Sequence, residues 1–372
     1  MNHRFDKIAF NSTAKKTPTE SDKEHYIGLE HIDSECLEIT RWGSNVAPIG
    51  EKLIMKKGDV LFGKRRAYQR KLAIAPFDGI FSAHGMVLRP NEEVVDKKYF
   101  PFFMSSDLFM ERAVQISVGG LSPTINWKDL REQEFPLPSL AEQKVLADKL
   151  WAAYRLKESY KKLLAATEEM VKSQFIEMFG DPMVNDKQWS EYSCISEITQ
   201  IVLGSTPNSK EPSYWDGDIR WITPAEMTDQ SYYIFDTVRH ITDEGRQAAN
   251  LTVLPEGTVL FSTRAPIGKV AIVGKEMCCN QGFKNFICSE KLNNVFLYYT
   301  LKLKKDYLCS LGTGTTFKEL SKRTVESLKI AVPPIELQNQ FETIYKQADK
   351  SGFELRKSID AIDAVIKSLI NS

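Results

Sequence analysis

The stretch Gly58-Asp-Val-Leu-Phe-Gly-Lys-Arg65 decides the fold, because the chain contains it twice. Its second copy, Gly257-Thr-Val-Leu-Phe-Ser-Thr-Arg264, lies 199 residues further along. Downstream, Phe135-Pro-Leu-Pro-Ser-Leu140 recurs as Ile330-Ala-Val-Pro-Pro-Ile335 at an interval of 195 residues. An interval that shortens by a few residues indicates one large unit that was duplicated and then lost or gained residues in loops. The copies are too long for a solenoid repeat.

Each copy has a front part with strand-like runs and a back part that contains no proline. The front parts hold short apolar runs, such as 60–62 and 259–261, between glycines and prolines. Each back part follows closely spaced prolines, which is typical of a helix start. We therefore predict an α+β chain in which two duplicated α/β domains are separated by two long helices. The predicted segments are domain 1 (1–139), a central helix (140–180), domain 2 (181–334) and a C-terminal helix (335–372).

Both predicted helices carry a heptad pattern. Apolar residues of the second helix recur in steps of four and three, the spacing of heptad positions a and d. The first helix keeps the same register, although Lys157, Thr167 and Gln174 interrupt it. Matching patterns favour a coiled coil between the two helices; the alternative is that each helix packs on its own domain. The residues predicted to pair the helices are Leu146, Leu150, Tyr160, Leu164, Val171, Phe341, Tyr345, Leu355, Ile359, Ile362, Ile366 and Leu369.

Composition excludes several classes of protein. The 372 residues include 49 Lys plus Arg and 49 Asp plus Glu, so the formal net charge is zero. This balance argues against a polybasic coating protein but allows a local basic patch that binds DNA. The six cysteines form no Cys-x-x-Cys pair, so a structural zinc site is not expected. The sequence shows neither an apolar leader nor a membrane-length apolar stretch, which predicts a cytoplasmic protein without membrane contact.

Motifs of catalysis are incomplete in this sequence. The only Pro-Pro pair, Pro333-Pro334, opens a predicted helix and lacks the acidic or amide residue and the aromatic residue of an amino-methyltransferase motif. The stretch from Gly58 to Lys64 resembles a P-loop, but Arg65 stands where a Ser or Thr would bind Mg²⁺. We therefore expect a binding protein with no catalytic residues, metal or cofactor of its own. An enzyme whose site forms only in space is an alternative, and it predicts turnover without a partner.

A dense basic run makes the first copy a candidate DNA-binding surface. Lys and Arg contact phosphates, Arg can pair with guanine, and the amide of Gln can pair with adenine. The corresponding segment of the second copy is less basic. The alternative for each residue is a solvated charged face. The candidates are Lys64, Arg65, Arg66, Tyr68, Arg70 and Lys71 in the first copy, and Arg264, Lys269, Gln281 and Lys284 in the second.

A polar, glycine-containing stretch precedes each predicted helix. It covers 117–124 in the first copy and 310–318 in the second. Backbone N–H groups of such turns and the hydroxyls of Ser and Thr are suited to clamping phosphates, although the stretch is also compatible with an ordinary turn. This stretch adds Thr315 and Lys318 to the DNA-binding candidates.

Taken together, these motifs make the chain resemble the specificity subunit of Type I restriction–modification systems. The resemblance is carried by the duplicated layout, by the helix starts at 136–143 and 333–340, and by Lys172-Ser-Gln-Phe-Ile-Glu-Met-Phe-Gly-Asp-Pro182. The segment from Tyr214 to Ile222 is similar to the family's domain openings. The match covers essentially the whole chain.

The resemblance implies a DNA-recognition subunit without catalysis of its own. Each domain would read one half of a bipartite DNA target, and the helices would pair antiparallel with pseudo-twofold symmetry and set the spacing. The family's partners are two methyltransferase subunits, which carry S-adenosylmethionine, and two restriction subunits, which use ATP and Mg²⁺. A coiled-coil scaffold without DNA specificity is the alternative, and it would lack salt-sensitive DNA binding.

Overall fold

In the computed structural model, residues 2–189, 192–264, 266–314 and 318–371 are described. The chain forms two compact units. Unit 1 comprises Met1–Leu163 together with Leu355–Ser372, and unit 2 comprises Leu164–Glu354. Each unit therefore contains a mixed α/β body and one end of each of two long helices, α5 (Leu140–Phe179) and α11 (Ile335–Ile370).

Unit 1 is built from short strands with small helices between them. Strand β6 is buried at all three residues and forms the middle of the main sheet. The strands are β1 (Asn2–Arg4), β2 (Ala9–Ser12), β3 (Lys15–Lys16), β4 (Tyr26–Ile27), β5 (Lys52–Met55), β6 (Val60–Phe62), β7 (Leu72–Ile74), β8 (Gly79–Phe81), β9 (Met86–Pro90) and β10 (Glu134–Pro136). The short helices are α1 (Phe5–Ile8), α2 (Phe100–Ser105), α3 (Asp107–Gln115) and α4 (Trp127–Leu130).

Unit 2 repeats this plan. Strand β16 is buried along its whole length, as β6 is. The strands are β11 (Tyr192–Cys194), β12 (Thr199–Leu203), β13 (Trp215–Ile222), β14 (Tyr233–Ile234), β15 (Arg239–Ile241), β16 (Val259–Phe261), β17 (Val270–Val273), β18 (Cys278–Cys279), β19 (Lys284–Cys288) and β20 (Lys329–Ala331). The short helices are α6 (Ile195–Ile198), α7 (Asp243–Ala248), α8 (Asn294–Leu303), α9 (Lys305–Ser310) and α10 (Lys322–Glu326).

The sheet order confirms the duplication that the sequence predicts. The main sheet of unit 1 has the antiparallel order β2-β9-β6-β7, and that of unit 2 begins with the matching order β12-β19-β16-β17. Each unit also pairs its first strand with its last, β1 with β10 and β11 with β20. The second sheets differ, with order β3-β5-β8-β4 in unit 1 and β15-β13-β18 in unit 2.

A buried glutamine attaches each long helix to its unit. The side-chain oxygen of Gln143 accepts from the N–H of Asp96 (2.8 Å), and its amide donates to the carbonyls of Val94 (3.1 Å) and Pro138 (2.9 Å). Gln338 repeats this arrangement with equivalent partners in unit 2. Because a buried polar group must be paired, the two glutamines fix where each helix starts.

The residues predicted to pair the helices are all buried or half-buried. Helix α5 begins at the predicted residue, and α11 does as well. Leu150, Val171, Phe341 and Tyr345 are buried. The other predicted contacts are half-buried: Leu146, Tyr160, Leu164, Leu355, Ile359, Ile362, Ile366 and Leu369.

Both units contain a contact between the long helices. In unit 1, the ammonium of Lys157 on α5 pairs with a carboxylate oxygen of Asp363 on α11. In unit 2, the ring of Phe175 on α5 meets that of Phe341 on α11, with centroids 5.1 Å apart. The start of α5 thus lies with the end of α11 in unit 1, and the reverse holds in unit 2. This is the antiparallel pairing expected from the heptads and the family resemblance.

The Lys157–Asp363 pair explains why a lysine occupies a position that should be apolar. The side chain of Lys157 is 11% exposed, whereas that of Asp363 is 46% exposed. Removing one member of a buried ion pair leaves the other charge without its partner, which destabilises the fold. The loss of stability is smaller here because the carboxylate of Asp363 is partly exposed to solvent. We expect Lys157→Ala to lower the free energy of unfolding of unit 1 by about 2 kcal/mol, as measured by urea denaturation.

Two further variants complete this test. Lys162→Ala changes an exposed lysine of the same helix and should leave the stability within about 0.5 kcal/mol of the unmodified chain. The double change Lys157→Met with Asp363→Leu should recover most of the loss, because apolar packing can replace an ion pair. Equal midpoints for Lys157→Ala and the unmodified chain would show that the pair contributes nothing.

Among the described residues, no helix combines the length and apolar character that crossing a bilayer requires.

Candidate nucleic-acid interface

The fold of unit 1 brings together the two segments that the sequence singled out. Arg65 forms an antiparallel bridge with Thr124, so this part of the basic run lies beside the polar stretch 117–124. The N–H of Arg66 donates to the carbonyl of Pro123 (2.7 Å), and its side chain donates to the hydroxyl of Ser122 (3.0 Å). The two candidate segments therefore form one continuous surface.

We call Arg65, Arg66, Tyr68 and the turn 117–124 the unit 1 basic surface. Both arginines and Tyr68 are exposed, and Tyr68 presents 54% of its area to solvent. Val118 bridges Thr124, which makes the polar stretch a small hairpin. At the tip of this hairpin Leu121 is 99% exposed. Cations, a stacking ring and an apolar tip are groups that contact phosphates, bases and groove walls.

Two other basic candidates of this segment bind groups within unit 1. The guanidinium of Arg70 donates to Asp107 (2.7 Å) and to the carbonyl of Ser105 (3.0 Å). The ammonium of Lys71 donates to the carbonyl of Leu29 (2.6 Å). Because these contacts orient both side chains toward the protein, we remove Arg70 and Lys71 from the candidate surface.

Unit 2 presents a matching but smaller surface. Arg264 and Thr313 each form an antiparallel bridge with Glu319, which repeats the arrangement around Thr124. Arg264 and Lys318 are exposed on this surface. Thr315 lies outside the described residues. We call Arg264, Thr313 and Lys318 the unit 2 basic surface.

Unit 2 also uses two of its candidate lysines internally. Lys269 donates to the carbonyls of Pro224 (2.9 Å) and Met227, as Lys71 does to Leu29 in unit 1. Lys284 is buried, and its ammonium donates to the hydroxyl of Thr263 (3.0 Å). We remove Lys269 and Lys284 from the candidate surface because, like Arg70 and Lys71, their side chains bind groups inside the unit.

Gln281 remains available for recognition. It is exposed, and its side-chain oxygen accepts from the hydroxyl of Thr206. That contact leaves the amide N–H groups of Gln281 directed away from Thr206, where they can donate to a base edge.

Lys64 differs from its neighbours because it is half-buried. Burial lowers its pKa, and the positive charge of Lys15 lowers it further. Sequence reasoning missed Lys15, which lies on β3 far from the basic run. The Lys15-Lys16 dipeptide was the available signal, but only the fold places Lys15 near Lys64.

The other reactive groups of the chain are its cysteines and the side chains that could ligate a metal. Within the described part of the chain, no group of three or more His, Cys, Asp or Glu side chains is placed to hold a metal ion. Burial raises the pKa of Cys278 to about 11 and that of Cys279 to about 12, so both thiols stay protonated at neutral pH.

Comparison with known proteins shows what the chain is similar to. A family model described as the Type I restriction modification DNA specificity domain matches residues 10–169 and again 187–362. The Type I restriction enzyme MjaIX specificity subunit of Methanocaldococcus jannaschii is 34% identical over 189 residues, which cover 50% of this chain and 44% of that relative. The putative MjaX specificity subunit of the same organism is 26% identical over 92% of this chain and 84% of its own length. The chain thus spans less than half of the first relative and most of the second.

Two solved structures share the fold. The S subunit of a Type I restriction–modification system from M. genitalium superposes with a TM-score of 0.64 at 13% identity, covering 100% of this chain and 94% of its own. A chain from a structure of the assembly and conformational transition of a type I R-M system gives a TM-score of 0.57 at 19% identity, covering 100% and 96%. At this level of identity the similarity concerns the fold alone.

Proposed function

Because the chain belongs to the Type I restriction modification DNA specificity family, we propose that it reads a bipartite DNA sequence on behalf of a partner methyltransferase. One half of the target is read by residues 1–139 and the other half by residues 181–334. The chain itself is non-catalytic and acts in the cytoplasm.

The observation that carries this proposal is the repetition of one basic surface in both units. In each unit the repeated motif ends in an exposed arginine, Arg65 or Arg264, which forms an antiparallel bridge with Thr124 or Glu319. Two similar surfaces on one chain suit a target with two separate halves. In this proposal exposed Lys and Arg set the position on the phosphates, while Arg65, Arg264 and Gln281 read base edges.

The two long helices have their own roles in the proposed function. Helices 140–180 and 335–372 set the spacing between the half-sites and dock two methyltransferase subunits. Those subunits carry S-adenosylmethionine and the catalytic groups. Two restriction subunits that use ATP and Mg²⁺ join the complex where they are present.

A map of N6-methyladenine in the host genome tests the proposal. We expect one bipartite motif with an unspecified gap to be methylated when the gene is intact and to lose its methylation completely when the gene is deleted. Returning the unmodified gene should restore the pattern. Returning the Arg65→Gln, Arg66→Gln double variant should restore less than about a tenth of it, since two charged contacts to DNA are lost.

The matched control is Arg131→Gln, which changes an exposed arginine outside both basic surfaces. This variant should restore methylation fully. An identical methylation map with and without the gene, in cells whose methyltransferase co-purifies with this chain, would refute the proposal.

A further inference from the structure

A cavity of about 170 Å³ opens beside the unit 1 basic surface. Its polar lining includes Asn11, Ser12, Thr13, Lys15, Lys64 and Asn126. The described residues of the lining thus provide two ammonium groups and several hydrogen-bonding groups but no carboxylate. The volume is several times that of one water molecule, about 30 Å³, and is sufficient for a phosphate group.

Lys64 carries a positive charge that no described residue compensates. Its ammonium has no hydrogen-bond or ion-pair partner among the residues that the structure describes. Lys15 reaches Glu51 at 3.5 Å, but both side chains of this pair are largely exposed, so the contact is weak and easily exchanged. Partial burial and the nearby Lys15 both lower the pKa of Lys64. An anion placed between the two lysines would relieve their repulsion.

The position of unit 2 that corresponds to Lys64 also lies beside an ammonium group, and there the charge is compensated. Thr263 corresponds to Lys64, because the N–H of Leu320 donates to the carbonyl of Thr263 (3.0 Å) as that of Ile125 donates to the carbonyl of Lys64 (2.9 Å). The ammonium found beside Thr263 belongs to Lys284.

This ammonium has a counter-ion inside the unit. A carboxylate oxygen of Glu319 lies 3.4 Å from the ammonium of Lys284. Glu319 occupies the position that Thr124 occupies in unit 1, since Arg264 bridges the former and Arg65 the latter. Unit 1 therefore lacks the carboxylate that neutralises the cation in unit 2.

We propose that the unit 1 cavity binds one phosphate of the DNA backbone between Lys15 and Lys64. The inference rests on the proposed function and goes beyond it, because it assigns a ligand to a cavity and recruits Lys15 from outside the basic run. A phosphate held there fixes the position of unit 1 on DNA, and Arg65, the next residue after Lys64, is then placed to reach a base edge. Among the described residues of unit 2, the corresponding cation, Lys284, is already paired with Glu319.

The salt dependence of DNA binding tests the proposal. The 372-residue chain is titrated with a random-sequence duplex at several salt concentrations, because phosphate contacts do not depend on sequence. We expect Lys15→Gln and Lys64→Gln each to reduce affinity about tenfold. Each should also flatten the plot of log K against log salt by about 0.9, the contribution of one phosphate. The double variant should flatten it by the same amount as either single variant, because both lysines hold one phosphate.

Two further variants separate this effect from a general loss of charge or fold. Thr124→Glu introduces the carboxylate that unit 2 carries at Glu319 and should flatten the slope as much as Lys64→Gln, without removing a lysine. Lys149→Gln changes an exposed lysine on α5 and should leave the slope unchanged. Far-ultraviolet circular dichroism confirms that each variant is folded.

The outcomes distinguish the inference from the function on which it rests. Salt-sensitive binding whose slope is the same in Lys64→Gln and in the unmodified chain overturns the phosphate site and leaves DNA recognition intact. Absence of salt-sensitive binding in the unmodified chain overturns both. Acylation of Lys64 that is slowed by inorganic phosphate but not by the duplex overturns the assignment to DNA, because the cavity then binds a free anion.

Discussion

Replacing Gln338 by leucine is expected to lower the free energy of unfolding of unit 2 by about 3–5 kcal/mol. Gln338 has no exposed area. Its side chain accepts from the N–H of Asn293 (2.8 Å) and donates to the carbonyls of Lys291 (3.1 Å) and Pro333 (2.7 Å). Leucine fills a similar space but leaves these three backbone groups without partners, and each buried unpaired group costs about 1–3 kcal/mol.

The measurement is urea denaturation followed by amide exchange around Asn293, whose N–H is the one released. Gln340→Leu is the matched control, because Gln340 lies two residues along the same helix and is exposed. It should change stability by less than about 0.5 kcal/mol. Gln143→Leu should reproduce the large loss in unit 1. Similar midpoints for Gln338→Leu and Gln340→Leu would contradict the role that we assign to the buried glutamine.

Replacing Phe341 by alanine is the second large perturbation, with an expected loss of about 3–5 kcal/mol in unit 2. The ring of Phe341 is fully buried. It lies 5.1 Å from the ring of Phe175, 5.7 Å from that of Phe179 and 5.3 Å from that of Tyr299, centroid to centroid. Alanine removes the aromatic contacts between α5 and α11 in this unit and leaves a cavity where the ring was.

Phe353→Ala provides the comparison, because Phe353 is on the same helix but is 60% exposed. Thermal unfolding should show a lower transition for unit 2 in Phe341→Ala and an unchanged one in Phe353→Ala. A loss of stability confined to unit 1 in Phe341→Ala would mean that the ring does not join the helices where the structure places it.

The helices and the duplication were predictable because their signals are periodic. Heptad spacing along 341–369 determines which face of α11 is buried, and it needs no knowledge of the domains. The repeated Val-Leu-Phe runs at 60–62 and 259–261 likewise read as buried strands, and they form the middle of each main sheet. Strands β13 and β15 were not predicted, since unit 1 has no equivalent of their pairing.

The candidate site was only partly predictable, because sequence does not show where a long side chain points. Lys71 and Lys269 belong to basic segments, yet both donate to the first carbonyl of a short helical turn, at Leu29 and Pro224. The two lysines occupy corresponding positions of the repeat and make the same kind of internal contact, so their recurrence reflects a shared structural role. Arg65 and Arg264 recur as well, but the fold leaves both exposed.

The composition of unit 1 has a consequence for the order in which the protein forms on the ribosome. Unit 1 needs Leu355–Ser372, which are made only after Leu164–Glu354, the whole of unit 2. At about 5–20 residues per second, that interval lasts roughly 10–40 s. During this time the core cluster that contains Leu150 and Tyr154 of α5 lacks Ile366 and Ile370, which pack against it in the folded protein. Unit 1 is therefore completed only after all of unit 2 has been synthesised. Until then, the uncovered face of α5 is available to a chaperone or an early partner.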